Sequence, residues 1–395
     1  MMGHLVLISR FGDTVQLGEY TLALAIISPL IVFVWMQQRL FISGDAGDDI
    51  DISDYFAFRT VGIVLASIVS ILIAVGSGAG EYIGVFIGIL MYKLIDSYSD
   101  IISGVFLKRN MIVSIPYYQA LRSMFRFSGF AIPYYIHGSL AEALVVGASA
   151  SACVLVFEFR RMNTVERSHS IRSWFAPGWL RRILDILKST YNLGLVELAY
   201  SVQSNTTRYI FAYYYGEMLV GVYSSMIYFM RPIVLAANSV FQLAAPALSR
   251  ACYVGSARDL RVVLGLLVGV VLAFSVISHV IFARYSDYMV SMVYGEQIGM
   301  YSFMLPIIAI NNYFSLPAAI LSYFGVICKR FRHQPMLIVI VILSNLIFSY
   351  LLQIKYGQLG VISGWIASSA VLLLGHMIYS YGLLWRKGDL DSSGA

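Results

Sequence analysis

Long uninterrupted apolar blocks constrain this chain more than any other feature of its sequence. The blocks run for about 18–25 residues, the length at which a helix crosses a hydrocarbon core about 30 Å thick. None of them alternates apolar and polar residues as the strands of a membrane barrel do. Because a bilayer core contains no water, the backbone N–H and C=O groups must form their hydrogen bonds within the protein. The blocks therefore predict a bundle of transmembrane helices.

The composition supports this interpretation. The 395 residues are 59% hydrophobic and only 12% charged, with a mean hydropathy of +0.77, whereas soluble domains carry roughly 25% charged residues. The net charge of +6 comes from short basic clusters between the blocks, which argues against nucleic-acid binding. Cys153, Cys252 and Cys328 lie far apart and at no metal-ligand spacing. The sequence therefore predicts no disulfide, no metal site and no cofactor.

About eleven complete spans are placed by hydropathy, which makes the predicted fold class an all-α polytopic membrane protein. The predicted spans cover residues 19–41, 57–77, 82–106, 117–137, 140–159, 187–213, 217–245, 260–283, 300–326, 335–354 and 359–385.

Basic residues are concentrated on every second connection between the predicted spans. Arg250 and Lys329 belong to two such clusters, and Arg59 and Arg122 are also assigned to basic loops. The connections between them are short or weakly basic. Because clustered Lys and Arg mark cytoplasmic loops, these connections and the tail at 388–395 are predicted to face the cytoplasm.

The longest connection separates two halves of similar length. Residues 162–186 form a basic cytoplasmic linker between an N-terminal lobe, 1–161, and a C-terminal lobe, 187–387. The second part of the linker combines arginines with tryptophan and proline. This composition predicts an amphipathic segment on the membrane surface, next to anionic lipid.

A weak internal repeat relates the two lobes. One copy contains Gly18, Tyr20 and Pro29, and the other contains Gly221, Tyr223 and Pro232 with the same spacing. A full span precedes the second copy, but only residues 1–10 precede the first. Adding the missing part of the first helix gives two six-helix lobes of the same orientation, as in transporters built from parallel repeats.

With these features the chain resembles the multidrug/oligosaccharidyl-lipid/polysaccharide (MOP) exporter superfamily, and within it the Wzx-type polysaccharide-biosynthesis flippases. The segments that carry the resemblance are FGDTVQLGEYTLALAIISPLIVFVWMQQRLFISGD, LIDSYSDIISGVFLKRN and TTRYIFAYYYGEMLVGVYSSMIYFMRPIVLAANSVFQLAAPALSR.

The resemblance implies a MATE-like pair of lobes around a central cavity in a bacterial cytoplasmic (inner) membrane. It implies movement of an undecaprenyl-diphosphate-linked oligosaccharide to the outer leaflet, for O-antigen (lipopolysaccharide), capsule or exopolysaccharide synthesis. The expected partners are this lipid-linked oligosaccharide, membrane lipids, and the polymerase and glycosyltransferases of the same synthesis. No enzymatic activity is expected of the chain itself.

Cations inside the predicted spans are the candidate substrate-binding residues. A charge near the bilayer centre costs about 2.5–3.5 kcal/mol on insertion scales, so it needs a partner or a function. Arg231 is central in its span and has no acid within one turn, and its planar guanidinium suits a phosphate. A structural pair with an acid on another helix is the alternative. Lys93, Arg208 and Arg39 are weaker candidates: Lys93 and Arg208 share a helix stripe with a carboxylate, and Arg39 lies at the cytoplasmic mouth.

Three carboxylates are the candidate ion-coupling residues. Asp96 and Asp100 follow Lys93 at i+3 and i+7, on one helix face. They predict either a structural Lys93–Asp96 ion pair or a surplus carboxylate that takes a coupling proton or sodium ion. Glu197 shares a polar stripe with Ser201, Ser204 and Arg208, which faces protein or water rather than lipid.

Two other functions remain open at this stage. An ion-coupled multidrug exporter of the same superfamily would favour an acidic cavity, whereas the candidate cations make this one mixed to basic. A membrane polysaccharide polymerase or glycosyltransferase would need a sizeable loop or domain for its acceptor, and the predicted outer loops are short.

Cysteines introduced into a chain whose own cysteines are replaced by serine test the predicted orientation. We expect a membrane-impermeant maleimide, added outside intact cells, to label Glu217→Cys and to miss His169→Cys in the linker, since the basic linker faces the cytoplasm. Permeabilised cells, in which both positions should react, are the control. Labelling in the reverse pattern would contradict the orientation.

Overall fold

The computed structural model describes residues 2–44, 51–76, 79–165, 177–253, 257–328 and 334–393, and this part of the chain consists of helices and short connections, without a strand. Residues 166–176 of the predicted linker lie outside the described residues. Within the described residues, eight helical stretches are long and apolar enough to cross a membrane. The predicted all-α polytopic class is confirmed.

The chain divides into two compact units, Met1–Val202 and Gln203–Ala395. The boundary falls inside one long helix, so the division into lobes at the linker stays a prediction. The N-terminal unit contains α1 (Met2–Phe11), α2 (Thr14–Trp35), α3 (Gln38–Gly44), α4 (Ile52–Gly76), α5 (Ile83–Lys108), α6 (Ser114–His137), α7 (Leu140–Val165) and the first part of α8 (Trp179–Tyr215).

The C-terminal unit contains the rest of α8 and eight further helices. These are α9 (Glu217–Tyr228), α10 (Arg231–Tyr253), α11 (Ala257–Tyr294), α12 (Glu296–Gly299), α13 (Met304–Ile310), α14 (Asn312–Ile327), α15 (Gln334–Tyr356) and α16 (Gln358–Ser393). Three of the predicted spans, those at α5, α6 and α8, are not among the eight apolar helices. Much of the intramembrane charge of the chain lies on these three.

Three of the predicted spans are interrupted. The span at 217–245 is broken between α9 and α10, because Pro232 has no N–H for the carbonyl of Tyr228 and its ring clashes with that carbonyl. The span at 300–326 is divided at Asn311. The span at 19–41 ends its first helix at Met36 and Gln37, which both adopt left-handed backbone angles (φ 43° and 53°).

Side chains hold the break between α2 and α3. Arg59 donates from Nη2 to the carbonyl oxygen of Trp35 at 3.4 Å and from Nε to Gln38 Oε1 at 3.0 Å. Gly194 lets α8 approach the break closely, because a Cβ there would lie 2.8 Å from Met36 Cγ. A broken helix inside a bilayer needs such partners for its freed backbone groups.

The assignment of Arg59 and Arg122 to loops is wrong. Arg59 lies in the first half of α4 and is fully buried, and Arg122 lies on α6 and is 8% exposed. Their charges suggested loops because a basic residue near the end of an apolar block is usually a topological signal. Both arginines instead form ion pairs within the N-terminal unit.

The repeat motif has a similar setting in the two units, with one difference. Tyr20 and Tyr223 are both buried, at 0% and 1% exposure. Each lies on a helix that begins just after a glycine, Gly12 before α2 and Gly216 before α9. Pro29 lies within the continuous helix α2, whereas Pro232 lies at the start of α10.

Replacing Arg59 tests how far the N-terminal unit depends on this side chain. We expect Arg59→Met to lower the free energy of unfolding by about 3–5 kcal/mol, because it leaves the Asp100 carboxylate without its partner. Thermal unfolding of the purified protein in detergent measures the change. The double variant Arg59→Met, Asp100→Asn should recover part of the loss, and a single variant as stable as the wild type would contradict the assignment.

Candidate functional site

The two acidic residues of α5 form ion pairs with arginines of neighbouring helices. Asp96 accepts two hydrogen bonds from Arg126 on α6, at 2.6 and 3.1 Å, and Arg122 Nε lies 3.6 Å from the same carboxylate. Asp100 is 3.3 Å from Arg59 on α4. The predicted Lys93–Asp96 ion pair is therefore wrong. A planar guanidinium from a facing helix makes two bonds to the carboxylate where a lysine makes one.

Glu158 of α7 completes this set of buried and half-buried ion pairs. Arg122 donates from Nη1 to Glu158 Oε1 at 2.7 Å and also bonds to the hydroxyl of Ser99. The six residues of the set are three arginines and three carboxylates, so their formal charges cancel. They are Arg59, Arg122, Arg126, Asp96, Asp100 and Glu158. We call this set the buried ion-pair network.

Lys93 lies beside this network but outside its pairs. It is half-buried on α5, and its charge interacts with those of Asp96 and Arg126. No residue that the structure describes forms a hydrogen bond or ion pair with its ammonium group. With the network neutral, Lys93 is a surplus positive charge of the N-terminal unit.

The remaining candidates of the N-terminal unit lie at the α2–α3 break. Glu197 of α8 accepts a hydrogen bond of 2.6 Å from Gln37 Nε2, and it has no cationic partner among the described residues. Arg39 lies on α3 and is half-buried. The backbone of α5 packs closely on it, because a Cβ at Gly104 would lie 3.2 Å from Arg39 Cα.

Two arginines of the C-terminal unit have neutral partners among the described residues. Arg208 on α8 donates to Ser224 Oγ at 2.9 Å and to Asn205 Oδ1 at 2.6 Å. Arg231, exposed at the first position of α10, lies over the ring of Tyr228 at 5.6 Å. No carboxylate in the described part of the chain lies within ion-pair distance of either guanidinium.

The two arginines also act on each other. Arg231 is among the charged groups that act on Arg208, together with Tyr209, Tyr223 and Tyr228. Two positive charges thus act on each other, and no described carboxylate forms an ion pair with either. An uncompensated charge out of water is costly, so this pair needs an explanation.

The structure brings the predicted site residues together only in part. Lys93, Asp96 and Asp100 share α5, while Glu197 and Arg39 lie at the α2–α3 break, and Arg208 and Arg231 share the C-terminal unit. Sequence reasoning missed Arg126 and Glu158 altogether. Arg126 lies near the middle of α6, and Glu158 lies in the second half of the apolar helix α7. An ionised residue inside a predicted span calls for a partner, and that signal could have identified both. Among the described residues there is no group of three or more metal-ligating side chains.

Comparisons with known proteins place the fold. No family model matches the chain. A capsular polysaccharide biosynthesis protein, CapF, of Staphylococcus aureus is 20% identical over 357 residues, which are 90% of this chain and 88% of that protein.

Solved structures of transporters superpose on nearly the whole chain. A multidrug-resistance MATE family transporter of the MOP superfamily, in its inward-facing conformation, superposes with a TM-score of 0.75 at 14% identity, covering 100% of this chain and 95% of the other. A MOP superfamily transporter from Pyrococcus furiosus superposes with a TM-score of 0.60 at 14% identity, covering 97% and 90%.

This protein is therefore a multi-pass membrane protein with the fold of the MATE transporters of the MOP superfamily. The predicted MATE-like fold is confirmed. Fold and relative together support a flippase or exporter.

Two matched substitutions separate the surplus cation from the buried ion-pair network. We expect Arg126→Met to lower the free energy of unfolding by about 3–5 kcal/mol, because it deprives Asp96 of its two short hydrogen bonds. Lys93→Met should leave stability unchanged or raise it, since it removes a charge without a partner. Thermal unfolding in detergent gives both values. A large loss of stability in Lys93→Met would show that Lys93 has a structural partner.

Proposed function

We propose that this protein is a flippase that moves undecaprenyl-diphosphate-linked oligosaccharide units from the cytoplasmic to the outer leaflet of a bacterial cytoplasmic membrane. The units would serve the synthesis of a surface polysaccharide such as O-antigen, capsule or exopolysaccharide. The polymerase and glycosyltransferases of that synthesis would be its functional partners.

The observation that carries the proposal is the charge of the C-terminal unit. Arg208 and Arg231 interact with each other and have no carboxylate partner in the described residues. A diphosphate carries about two negative charges, and hydrocarbon cannot solvate them, so cations must accompany it across the bilayer. The guanidinium groups of these two arginines, each able to make paired hydrogen bonds to phosphate oxygens, meet that need.

The two arginines would have different roles in binding the diphosphate. Arg231 is exposed at the first position of α10, where the helix N-terminus also favours an anion. Arg208 is held in place by Asn205 and Ser224, which fixes its guanidinium in one orientation. Arg231 would then make the first contact with the diphosphate, and Arg208 would supply the second charge.

The N-terminal unit supplies weaker candidates for the same ligand. Lys93 is a surplus cation inside the membrane, and Arg39 follows the α2–α3 break. We assign both to the passage of the diphosphate. In this assignment the buried ion-pair network keeps its arginines for structure, because each of them already has an acid.

Glu197 is the carboxylate best suited to ion coupling. It accepts a hydrogen bond from the neutral side chain of Gln37, so a proton or sodium ion would not have to displace an arginine. Asp96 and Asp100 remain candidates, but each would first have to give up an arginine partner.

The relatives are consistent with this proposal. The Staphylococcus aureus relative is described as a capsular polysaccharide biosynthesis protein. The Pyrococcus furiosus transporter is described as having a binding pocket of reversed polarity, which suggests a different function for it within the superfamily. A multidrug exporter for cations, the alternative, would need free carboxylates where the C-terminal unit presents arginines.

Export by variants of Arg231 tests the proposal. In a strain that lacks its own flippase, we expect Arg231→Ala to lose surface polysaccharide while the protein still inserts in the membrane. Arg231→Lys should retain part of the export, because a point charge keeps the attraction but loses the paired geometry. Surface polysaccharide and membrane protein level are measured together.

The control is Lys355→Ala. Lys355 is likewise an exposed cation over a tyrosine ring, Tyr356, at 5.3 Å, but it lies at the end of α15 rather than at the start of α10. It should export normally. Full export by a well-expressed Arg231→Ala protein would remove this residue from the mechanism, and resistance to cationic drugs without polysaccharide export would favour the multidrug alternative.

A further inference from the structure

Two cysteines that the sequence leaves unconnected form a disulfide in the C-terminal unit. Cys252 and Cys328 are 76 residues apart in the chain, and their Cα atoms are 6.2 Å apart. The expectation of no disulfide is wrong, because spacing along the chain does not show which helix ends meet. Cys252 is near the end of α10, and Cys328 directly follows α14.

The disulfide joins one end of a pair of packed helices. Apolar side chains of α10, α11 and α14, among them Phe241, Leu248 and Phe324, form a continuous core between the two helices. At the other end, Asn312 Nδ2 donates to Met230 Sδ at 3.4 Å. These two residues adjoin the break before α10 and the break before α14. The helix pair is thus tied at the breaks by a weak hydrogen bond and at its far end by a covalent bond.

The chemical surroundings make that bond unusual. Arg250 lies two residues before Cys252, and Lys329 follows Cys328. By the positive-inside rule both cysteines lie at the cytoplasmic ends of their helices. Disulfides in the cytosol of most bacteria are transient and redox-sensing rather than structural, because glutathione and thioredoxin keep thiols reduced.

We propose that Cys252 and Cys328 form a reversible redox modification site that fixes the cytoplasmic ends of α10 and α14 to each other and stops export when the cytoplasm is oxidised. The inference rests on the proposed function. Arg231 begins α10 at the helix break, so a bond at the far end of α10 limits how this helix can pivot while Arg231 carries the diphosphate. In the reduced protein the two helix ends can separate.

The chemistry requires a disulfide of low molecular mass, such as oxidised glutathione. The thiolate of one cysteine attacks this disulfide, forms a mixed disulfide and releases one reduced thiol. The thiolate of the second cysteine then attacks the mixed disulfide and releases the second small thiol, which closes the Cys252–Cys328 bond. The two cysteines together lose two electrons and two protons, and the oxidant gains them. The basic residues at both cysteines would attract an anionic disulfide of this kind.

A thiol-trapping experiment with an export readout tests the proposal. The background is Cys153→Ser, which removes the remaining cysteine of the chain. Cells are treated with diamide, which converts cellular glutathione to its disulfide, and free thiols are then labelled with maleimide-polyethylene glycol. We expect both cysteines to be labelled before treatment and neither after it, with export lost on oxidation and restored by dithiothreitol.

The matched variants are Cys153→Ser with Cys252→Ser and Cys153→Ser with Cys328→Ser, which should continue to export in diamide. Cysteines that stay labelled after oxidation would overturn the proposal. So would a disulfide already present in untreated cells, or export that is unchanged when the disulfide forms. If untreated Cys153→Ser cells do not export although wild-type cells do, the loss comes from the replacement of Cys153, and the oxidation is then tested in the wild-type chain. Absence of export from wild-type cells as well would count against the proposed function, and the labelling would still decide whether the bond is reversible.

Discussion

The cost of an ionised group in hydrocarbon is the constraint on which this structure depends. Helices α4, α5, α6 and α7 each carry at least one charged residue inside the N-terminal unit, and the buried ion-pair network joins all four. An arginine without its acid, or an acid without its arginine, would leave a buried charge with nothing to offset it. The network therefore restricts these helices to arrangements in which their charged faces meet. Arg59 extends this control to the break between α2 and α3, where it also bonds to the carbonyl of Trp35.

The two units use charge in different ways. In the N-terminal unit three arginines and three carboxylates cancel, and Lys93 is left over. In the C-terminal unit Arg208 and Arg231 rely on neutral partners, namely amide, hydroxyl and aromatic groups. Balanced charges stabilise a fold, whereas a charge without a counterion is retained where a ligand can supply one. This contrast is why we assign structure to the first set and substrate binding to the second.

The broken helices give the unbalanced charges a place to act. Pro232 ends α9 and leaves Arg231 at the start of α10, so one residue produces both the break and the position of the cation. Breaks within spans free backbone groups that continuous helices keep bonded, and transporters place such groups at their binding sites. In the C-terminal unit two broken helices also run side by side to the Cys252–Cys328 bond. The same pair of helices would thus connect the proposed substrate site with the proposed redox site.

The sequence by itself determined the class of the protein, the order of its helices and the residues that could not be explained by packing. Apolar blocks act through local geometry, which is why the all-α class was predictable. A proline also acts locally, on the carbonyl four residues before it. Arg231 and Arg208 could be selected as candidates because a charge inside an apolar helix is visible in the sequence alone. The tertiary structure decided the partners. Asp96 lies on the same helix face as Lys93 but bonds to Arg126, and Cys252 meets Cys328 across 76 residues, because such contacts depend on which faces of separate helices pack together. No periodicity within one helix contains that information.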